Sequence, residues 1–398
     1  MNNINYLHNI NFKDKIAIVR VDFNVPLSKS LKISDNTRIK KGILSVKHII
    51  KNGGKCIIIS HLGRPSGKGY EKEYSLENIL PFISKELNYD IDFISNYYSD
   101  YFNLGELKSD ILLFENLRFY KEEKSNNLDF AKKLASFADI YVNDAFGTCH
   151  REHASTNMLP KLIKEKCAGL LIQEELSNIS KILNDYKKPF TAILGGAKVS
   201  DKILVIEKLI KISDNIIIGG AMSNTFIKAK GGKIGNSLYE KEKLSLSIEI
   251  LEKAKENNVN IILPIDSKCA QSLNENEKII FFESDKIDNN YCSFDIGPKS
   301  FKKFNSIIKN SKTIIWNGPM GVFENINFSD GTSEVAYSIS EATANGAFSL
   351  VGGGDSVSAI KKNNKENDIS FISTGGGALL ELIGNGSLPS LDLLKNRH

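Results

Sequence analysis

Long apolar runs, cysteine pairs and arginine are all scarce in this sequence of 398 residues. No apolar run approaches the roughly 18 residues that cross a bilayer, so we expect no membrane span. The N-terminus lacks a basic start followed by a short apolar segment, so we expect no signal peptide. The five cysteines form no CxxC pair, which disfavours a disulfide framework or a zinc site. Together these absences predict a cytoplasmic protein.

Strong charge asymmetry is also absent. The net charge is +5, and lysine and glutamate are spread along the whole chain. No basic stripe carries interleaved aromatic residues, so we expect no nucleic-acid partner. A composition of 41% hydrophobic and 25% charged residues is typical of a globular protein, and the length allows two domains.

Short apolar runs alternate with helical patterns from end to end. Runs of four to six residues that are apolar throughout indicate parallel strands covered on both faces. We therefore predict an α/β fold with two doubly wound parallel-sheet lobes of the Rossmann-like kind. The runs that support it are residues 16–19, 55–60, 110–114, 140–143, 190–194, 215–220, 260–264, 313–317, 348–353 and 370–374.

One amphipathic helix is predicted over residues 169–188. Its apolar residues recur at helical spacing, and Pro189 follows it. A single helix that joins two lobes would serve as a hinge. We therefore expect a first lobe over residues 1–168 and a second lobe that begins at residue 189.

Glycine clusters follow several apolar runs in the second half, at residues 195–196, 219–220, 352–354 and 375–377. Such turns let a ligand approach the backbone, and the helix that follows offers free N–H groups to a phosphate. One such turn can equally serve tight packing, but four indicate a phosphate-binding edge. The sequence contains no GxxxxGK[ST] loop and no GxGxxG fingerprint, which excludes an ordinary P-loop enzyme and disfavours a dinucleotide fold.

Several polar residues near these turns allow two interpretations each. Lys198 and Lys202 flank Ser200, which we predict to be a helix N-cap, and the two lysines are either solvated or bound to an anion. Asp355 either caps a helix or holds Mg²⁺ on the phosphates of a nucleotide. Glu324 is either a surface charge or an acceptor for ribose hydroxyl groups.

Arginine is rare and unevenly placed. The chain has six arginines against 46 lysines, and no arginine lies between residues 152 and 396. Arginine binds carboxylate and phosphate through a two-pronged fork that lysine lacks, so its retention in a lysine-rich chain indicates a need for that fork. The alternative is a set of structural salt bridges. We predict an anion-binding basin near the strand ends of the first half, formed by Arg20, Arg38, Arg64, Arg118 and Arg151. His61 and His150 lie in the same loops, where either could instead cap a turn.

One half thus suits a small polyanion and the other a magnesium nucleotide, which is the layout of a kinase. A non-catalytic two-lobed binding protein is a second hypothesis, and it would need neither Lys198 nor Asp355. A nicotinamide-dependent dehydrogenase is a third, disfavoured by the missing fingerprint.

Ten segments in order along nearly the whole chain resemble those of the phosphoglycerate kinases. They are RVDFNVP, TRI, SHLGRP, ENLRF, NDAFGTCHR, GGAKVSDK, GGAMSNTF, WNGPMGVFE, GGGDS and STGGGALLEL. The resemblance implies a monomeric glycolytic enzyme that moves a phosphoryl group between 1,3-bisphosphoglycerate and ADP, giving 3-phosphoglycerate and ATP. It implies Mg²⁺ as cofactor, a nucleotide-binding lobe over residues 189–379, and a tail over residues 380–398 that packs on the first lobe.

The resemblance also implies roles for individual residues. Those for the glycerate substrate are Arg20, Asp22, Phe23, Asn24, Arg38, His61, Leu62, Gly63, Arg64, Arg118 and Arg151. Those for the nucleotide are Lys198, Lys202, Gly219, Ser293, Asn317, Pro319, Glu324, Gly352, Gly353, Gly354, Asp355 and Ser356, with Asp355 on the metal. Those for the transferred phosphoryl group are Arg38, Lys198 and the helix start at Gly376.

Four residues depart from the family's usual pattern. Ser293 stands where the family has glycine, so close approach of the nucleotide base is in question there. Cys149 and Glu152 replace small residues beside Arg151, and we expect the thiol to make activity sensitive to oxidation. Ser390 stands where a late glycine is usual.

Overall fold

The structure is a computed structural model that describes residues 3–99, 102, 104, 109–274 and 277–396. The chain divides into two compact units: unit 1 comprises Met1–Ser177 with Ser387–His398, and unit 2 comprises Asn178–Gly386. The first division falls inside the helix predicted over residues 169–188. Residues 380–386, which the prediction assigns to the returning tail, belong to unit 2 instead. The last two residues of that tail lie outside the described residues.

Unit 1 is built on a parallel sheet with strand order β3-β4-β2-β1-β5-β6. The central strands are buried along almost their whole length, which explains why the apolar runs were readable as strands. The strands are β1 (Ile16–Val21), β2 (Lys55–Ile59), β3 (Asp92–Ile94), β4 (Ile111–Phe114), β5 (Ile140–Asp144) and β6 (Glu165–Ala168).

Helices cover this sheet, and the first of them shows why they form. Its apolar residues Ile39, Ile43, Val46 and Ile49 recur every three or four positions and lie in the core of unit 1. A short π-helix spans Ala154–Met158. The α-helices that begin in unit 1 are α1 (Thr37–Lys51), α2 (Leu80–Leu87), α3 (Lys121–Lys124), α4 (Leu128–Ala135), α5 (Leu159–Leu162) and α6 (Leu170–Leu183).

Unit 2 contains a second parallel sheet, with order β10-β8-β7-β15-β16-β17, and two small sheets. One small sheet joins β12, β11 and β14 in antiparallel fashion, and the other pairs β9 with β13. The strands are β7 (Phe190–Leu194), β8 (Asn215–Ile218), β9 (Lys233–Ile234), β10 (Asn260–Ile262), β11 (Asp266–Ala270), β12 (Ile280–Glu283), β13 (Lys286–Ile287), β14 (Cys292–Ile296), β15 (Thr313–Asn317), β16 (Phe348–Gly352) and β17 (Phe371–Ile372).

Several helices of unit 2 begin a few residues after a strand of its large sheet ends. None of the described helices is both long and apolar enough to cross a membrane. The helices are α7 (Ile203–Ile210), α8 (Ala221–Ala229), α9 (Leu244–Glu256), α10 (Pro298–Lys309), α11 (Asp330–Ala344), α12 (Gly354–Lys362) and α13 (Gly377–Asn385), followed by α14 (Pro389–Asp392) in unit 1.

The α/β prediction is confirmed, and each of the ten apolar runs contains a strand. The predicted N-cap at Ser200 is wrong, because α7 begins at Ile203 with Lys202 as its N-cap. The backbone N–H and hydroxyl group of Ser200 instead donate to the carboxylate of Glu240, at 3.1 and 2.6 Å.

The C-terminal tail returns to unit 1 from residue 387 onward. The N–H of Asn396 donates to the carbonyl of Asn3 at 2.8 Å. The N–H of Ser390 donates to the carbonyl of Cys149 at 3.2 Å. The tail thus pairs with the start of the chain and touches the loop that precedes Arg151.

Candidate active site

A cluster of arginines surrounds His61 in unit 1. Burial lowers the pKa of His61 well below its ordinary range, and the charges of Arg20, Arg118, Arg151 and Arg38 lower it further. The imidazole is therefore neutral at pH 7. Its Nδ1 atom lies 3.1 Å from Nη2 of Arg20. Since a guanidinium only donates hydrogen bonds, Nδ1 is the acceptor.

Arg20 has no exposed surface, although it was predicted to form part of the anion-binding basin. Its Nε donates to the hydroxyl of Ser155 at 3.0 Å, and Nη1 donates to the carbonyl of Val21. Arg20 thus contacts the site through His61 and does not itself face a ligand. The carboxylate of Asp22, which follows β1, pairs with Nη1 of Arg38 at 3.1 Å.

The turn after β1 joins several of the predicted residues. Arg38 lies in the first turn of α1, and its Nη1 donates to the carbonyl of Asn24 at 3.1 Å. The side-chain oxygen of Asn24 accepts from the N–H of Gly63 at 2.8 Å. These bonds connect the loop after β1 with the loop after β2, so residues far apart in sequence share one edge of the sheet.

Arg118 carries donors that lack partners. It is 4% exposed, and only its Nη1 is bonded, to the carbonyl of Gly63 at 2.9 Å. Within the described ranges its buried Nε and Nη2 atoms have no hydrogen-bond partner. Burial and the nearby Arg20 and Arg151 lower its pKa to about 10. A buried guanidinium with open donors is costly in isolation and indicates a missing anion.

Carboxylates lie near the cluster, but few of them pair directly with its arginines. Of the five arginines, only Arg38 pairs with a carboxylate among residues that the structure describes. The salt-bridge alternative therefore fails for the other four. Arg151 is exposed, and its Nε donates to His150 at 3.3 Å. Arg64 is exposed too and is not among the cations that depress the pKa of His61.

Other predicted residues of unit 1 contribute backbone or packing. Phe23 and Leu62 are buried in the core, at 0% and 2% exposure. The N–H of Phe23 donates to the hydroxyl of Ser60 at 2.9 Å, and the carbonyl of Leu62 accepts from Asn116 at 2.8 Å. The thiol of Cys149 is fully buried, and burial raises its pKa, which argues against the expected sensitivity to oxidation.

Unit 2 forms a small cavity where the strands of its large sheet end. Its volume is about 180 Å³, and the loops after β7, β15 and β16 contribute its walls. The cavity suits a phosphate group because glycine backbone and two lysines meet there. Its lining residues are Gly195, Gly196, Ala197, Lys198, Asp201, Lys202, Asn317, Gly318, Pro319, Gly353, Gly354, Asp355 and Ser356.

Glycine is required at one wall of this cavity. Gly353 has a φ of +94°, and a Cβ atom there would lie 2.7 Å from Nδ2 of Asn317. That amide nitrogen donates to the carbonyl of Gly352 at 2.9 Å. A side chain at position 353 would therefore strain the backbone and displace Asn317.

The two lysines of the cavity differ. Lys202 is 9% exposed, and its Nζ donates to Oδ1 of Asn317 at 2.5 Å. Burial lowers its pKa, while Asp201 and Asp355 act in the opposite direction. Lys198 is exposed. Both line the same cavity, and burial excludes the solvated interpretation for Lys202 but not for Lys198.

Asp355 lies in the first turn of α12, whose N-cap is Gly353, so it does not cap the helix itself. It is exposed at the wall of the cavity. In the described part of the chain, no group of three His, Cys, Asp or Glu residues could hold a metal by itself. One carboxylate beside a phosphate-sized cavity fits Mg²⁺, which takes one or two carboxylates plus phosphate oxygens.

The remaining nucleotide and phosphoryl residues do not line the cavity. Gly219 follows β8, Ser293 lies in β14, and Glu324 is exposed. Gly376 is the N-cap of α13, with a φ of +53°. Their predicted roles stay predictions.

Ser155 was missed by sequence reasoning. It contacts Arg20, yet it lies 135 positions away in the π-helix Ala154–Met158. No spacing rule connects a strand residue with a serine at such a distance. Gly318 was missed as well, although it lies inside the motif WNGPMGVFE.

Comparison with known proteins gives concordant results. A family model described as phosphoglycerate kinase matches residues 7–385. A phosphoglycerate kinase of Porphyromonas gingivalis is 45% identical over 413 aligned positions, covering 97% of this chain and 98% of that protein. One of Finegoldia magna is 44% identical over 396 positions, covering 98% and 99%. The solved phosphoglycerate kinase of Coxiella burnetii superposes with a TM-score of 0.87 at 37% identity, covering 98% of each chain.

Proposed function

The chain belongs to the phosphoglycerate kinase family, and from that premise we propose which of its residues bind each substrate. The family's reaction is phosphoryl transfer between ATP and the carboxyl group of 3-phosphoglycerate. We assign 3-phosphoglycerate to the arginine cluster of unit 1 and the magnesium nucleotide to the glycine-lined cavity of unit 2.

One observation carries the assignment in unit 1. Four of the five arginines have no carboxylate partner among the described residues, and Arg118 keeps two buried donors open. A trianionic substrate supplies the missing negative charge. Asn24, Arg38 and His61 lie on the same loops and would orient the glycerate, while Arg20 would act from behind His61.

The acceptor does not need a general base. A carboxyl group of this kind has a pKa of roughly 3.5 and is ionised at neutral pH. The cluster agrees with this, because the pKa of its one buried imidazole is lowered and the Nδ1 lone pair of that ring already accepts from Arg20. Catalysis would then consist of positioning and of charge stabilisation.

Charge on the moving phosphoryl group would be stabilised by side chains from both units. We assign Arg38 and Lys198 to this role, with backbone N–H groups at the start of α13 beside Gly376. Lys202 and the glycines of the cavity would hold the nucleotide phosphates. Mg²⁺, held by Asp355, would neutralise phosphate charge when bound.

A hinge motion is part of the proposal. The division between the units falls within α6, so bending near residue 177 would move one unit against the other. Closure would exclude water from the acyl phosphate. We also propose that the enzyme is a cytoplasmic monomer.

A coupled assay tests the assignment. The protein is incubated with MgATP and 3-phosphoglycerate, and acyl-phosphate formation is coupled to NADH-dependent reduction. We expect turnover that requires both substrates and Mg²⁺. A folded sample without turnover would overturn the proposal and restore the binding-protein hypothesis.

A further inference from the structure

A second group of buried polar residues lies next to the arginine cluster. Glu123, in α3, has no exposed surface, and neither has Ser155 in the π-helix Ala154–Met158. Both of them lie in unit 1. Burying a carboxylate without a partner costs roughly several kcal/mol. Glu123 must therefore have partners that compensate its charge.

Glu123 is bound by the serine from two sides. The hydroxyl of Ser155 donates to Oε1 at 2.7 Å, and its backbone N–H donates to Oε2 at 3.0 Å. Nδ1 of His153 lies 3.8 Å from Oε1. Burial and the nearby Arg118, Arg20 and Arg151 lower the pKa of His153 to about 4. At pH 7 this histidine is neutral and does not balance the carboxylate.

The hydroxyl of Ser155 has one hydrogen to donate, and it donates that hydrogen bond to the carboxylate of Glu123. The oxygen therefore offers only lone pairs to its other neighbour, which is Nε of Arg20 at 3.0 Å. Arg20 and Glu123 are both fully buried, and one hydroxyl group links them. The two opposite charges compensate each other through that hydroxyl. In the low-dielectric interior, the hydrogen bonds of such a chain polarise and strengthen one another.

The chain of hydrogen bonds continues to the substrate site. Nη2 of Arg20 donates to Nδ1 of His61 at 3.1 Å. With Nδ1 occupied as an acceptor, the ring proton of neutral His61 lies on Nε2. Nε2 has no protein partner in the described residues, so its N–H is available to a ligand.

We propose that Glu123 and Ser155 are positioning residues for the glycerate site. They anchor Arg20, and Arg20 fixes His61 as the neutral Nε2–H tautomer, a directional donor towards the anion. The inference deepens the proposed function and rests on it for the identity of the ligand. Neither residue touches the substrate itself.

Nuclear magnetic resonance of the full chain tests the tautomer without any substrate. Protein labelled with ¹⁵N-histidine is compared with His61→Gln, which assigns the signals. We expect wild-type His61 to show a protonated Nε2 and a bare Nδ1. Glu123→Gln and Ser155→Ala should shift that pattern towards a mixture of tautomers. The control Glu122→Gln alters the neighbouring residue of α3, which has no bond to the network, and should leave the pattern intact.

Kinetics provide the second measurement. Both variants should raise the KM for 3-phosphoglycerate about tenfold, as expected for the loss of a buried charge-assisted contact, and leave the KM for MgATP within about twofold. Equal changes in both KM values, or a fall in Tm without a selective KM change, would reduce the pair to a structural role.

The possible outcomes distinguish a failure of this inference from a failure of the proposed function. A protonated Nδ1 in wild-type His61, or a tautomer unchanged in both variants, overturns the inference whatever the activity. Absence of wild-type turnover counts against the proposed function alone, because the tautomer is measured without substrate. Ser155→Ala removes a single hydroxyl group and keeps the test open if Glu123→Gln does not fold.

Discussion

Unit 1 and unit 2 contain sheets of the same kind but present positive charge in different ways. Unit 1 gathers guanidinium groups, and Arg118 keeps two buried donors open. Unit 2 presents glycine backbone and two lysines around a cavity of about 180 Å³. Side-chain forks suit a small anion with two differently placed charged groups, whereas backbone N–H groups suit a phosphate chain that many nucleotides share. In the function that we propose, two similar sheets thus recognise different ligands, one through arginine side chains and the other through glycine backbone and lysines.

Arg38→Lys should have the largest catalytic effect. Nη1 of Arg38 alone contacts both Asp22 and the carbonyl of Asn24, so the rest of the guanidinium fork is left for a ligand. Lysine keeps the charge but loses that fork. We expect kcat to fall about 100-fold or more, with the fold intact, because transition-state charge loses an oriented partner. Steady-state kinetics and circular dichroism measure this. Lys40→Ala, at an exposed site on the same helix, should retain activity, and a wild-type kcat in Arg38→Lys would refute the role of the fork.

Lys198→Ala tests the other side of the comparison. The side chain is exposed at the cavity wall, so its removal should leave the fold intact. We expect kcat to fall about 10- to 100-fold, and the affinity for MgATP to fall much less. Lys211→Ala, at the exposed end of α7, is the control. Equal losses in kcat and affinity would show that Lys198 only binds the ground state.

Gly353→Ala should weaken nucleotide binding alone. The added Cβ would meet Asn317 at 2.7 Å in a backbone with a φ of +94°. We expect the KM for MgATP to rise about tenfold and that for 3-phosphoglycerate to stay constant. Gly346→Ala separates strain from the clash, since Gly346 has a φ of +87° with nothing within 4 Å of its Cβ position. If both variants raise the KM equally, the cavity wall is not the cause.

Each unit also holds a buried aspartate with a raised pKa, and these two should respond to pH in the same way. Burial raises the pKa of Asp144 to about 7, and that of Asp295 to about 7. A carboxyl group whose pKa is higher in the folded than in the unfolded state stabilises the fold at low pH. That contribution is full below pH 4 and is lost as the pH rises towards 7, by at most about 1.4 kcal/mol per pH unit for each group.

Asp144→Asn and Asp295→Asn should each reduce this loss of stability between pH 4 and 7. Chemical denaturation across that range measures it. Asp144 accepts from the hydroxyl of Ser45 and the N–H of Ile172, and Asp295 accepts from the N–H groups of Gly331 and Ile296. A variant whose stability varies with pH as in the wild type would show that its aspartate has an ordinary pKa.

The sequence predicted those parts of the fold that depend on local pattern. Strands buried on both faces are apolar throughout, so the strands of the two large sheets could be predicted from the sequence. The small antiparallel sheet was missed, because β11 (Asp266–Ala270) is polar and β12 (Ile280–Glu283) is half exposed. Ser200 looked like an N-cap, but a carboxylate 40 positions away binds it.

The candidate site shows the same limit. Motifs identified Arg118 and Asn317, which occur in distinctive local contexts. The rarity of arginine singled out Arg20, but it did not indicate that Ser155 and His61 bind its guanidinium group. The burial of Cys149 was equally invisible, because it depends on packing from distant segments. Burial and partners of individual side chains follow from tertiary structure, which local patterns do not encode.

Binding to Arg118→Met tests the central claim most directly. Calorimetry would measure 3-phosphoglycerate and MgADP separately on the wild type and the variant. The substitution removes Nε and Nη2, which have no partner among the described residues, and one hydrogen bond, from Nη1 to the carbonyl of Gly63. We therefore expect only a small fall in Tm. We expect 3-phosphoglycerate to bind about 100-fold more weakly, from lost charge-assisted hydrogen bonds, and MgADP to bind as in the wild type. Unchanged affinity for 3-phosphoglycerate would contradict the assignment of the arginine cluster to the glycerate substrate.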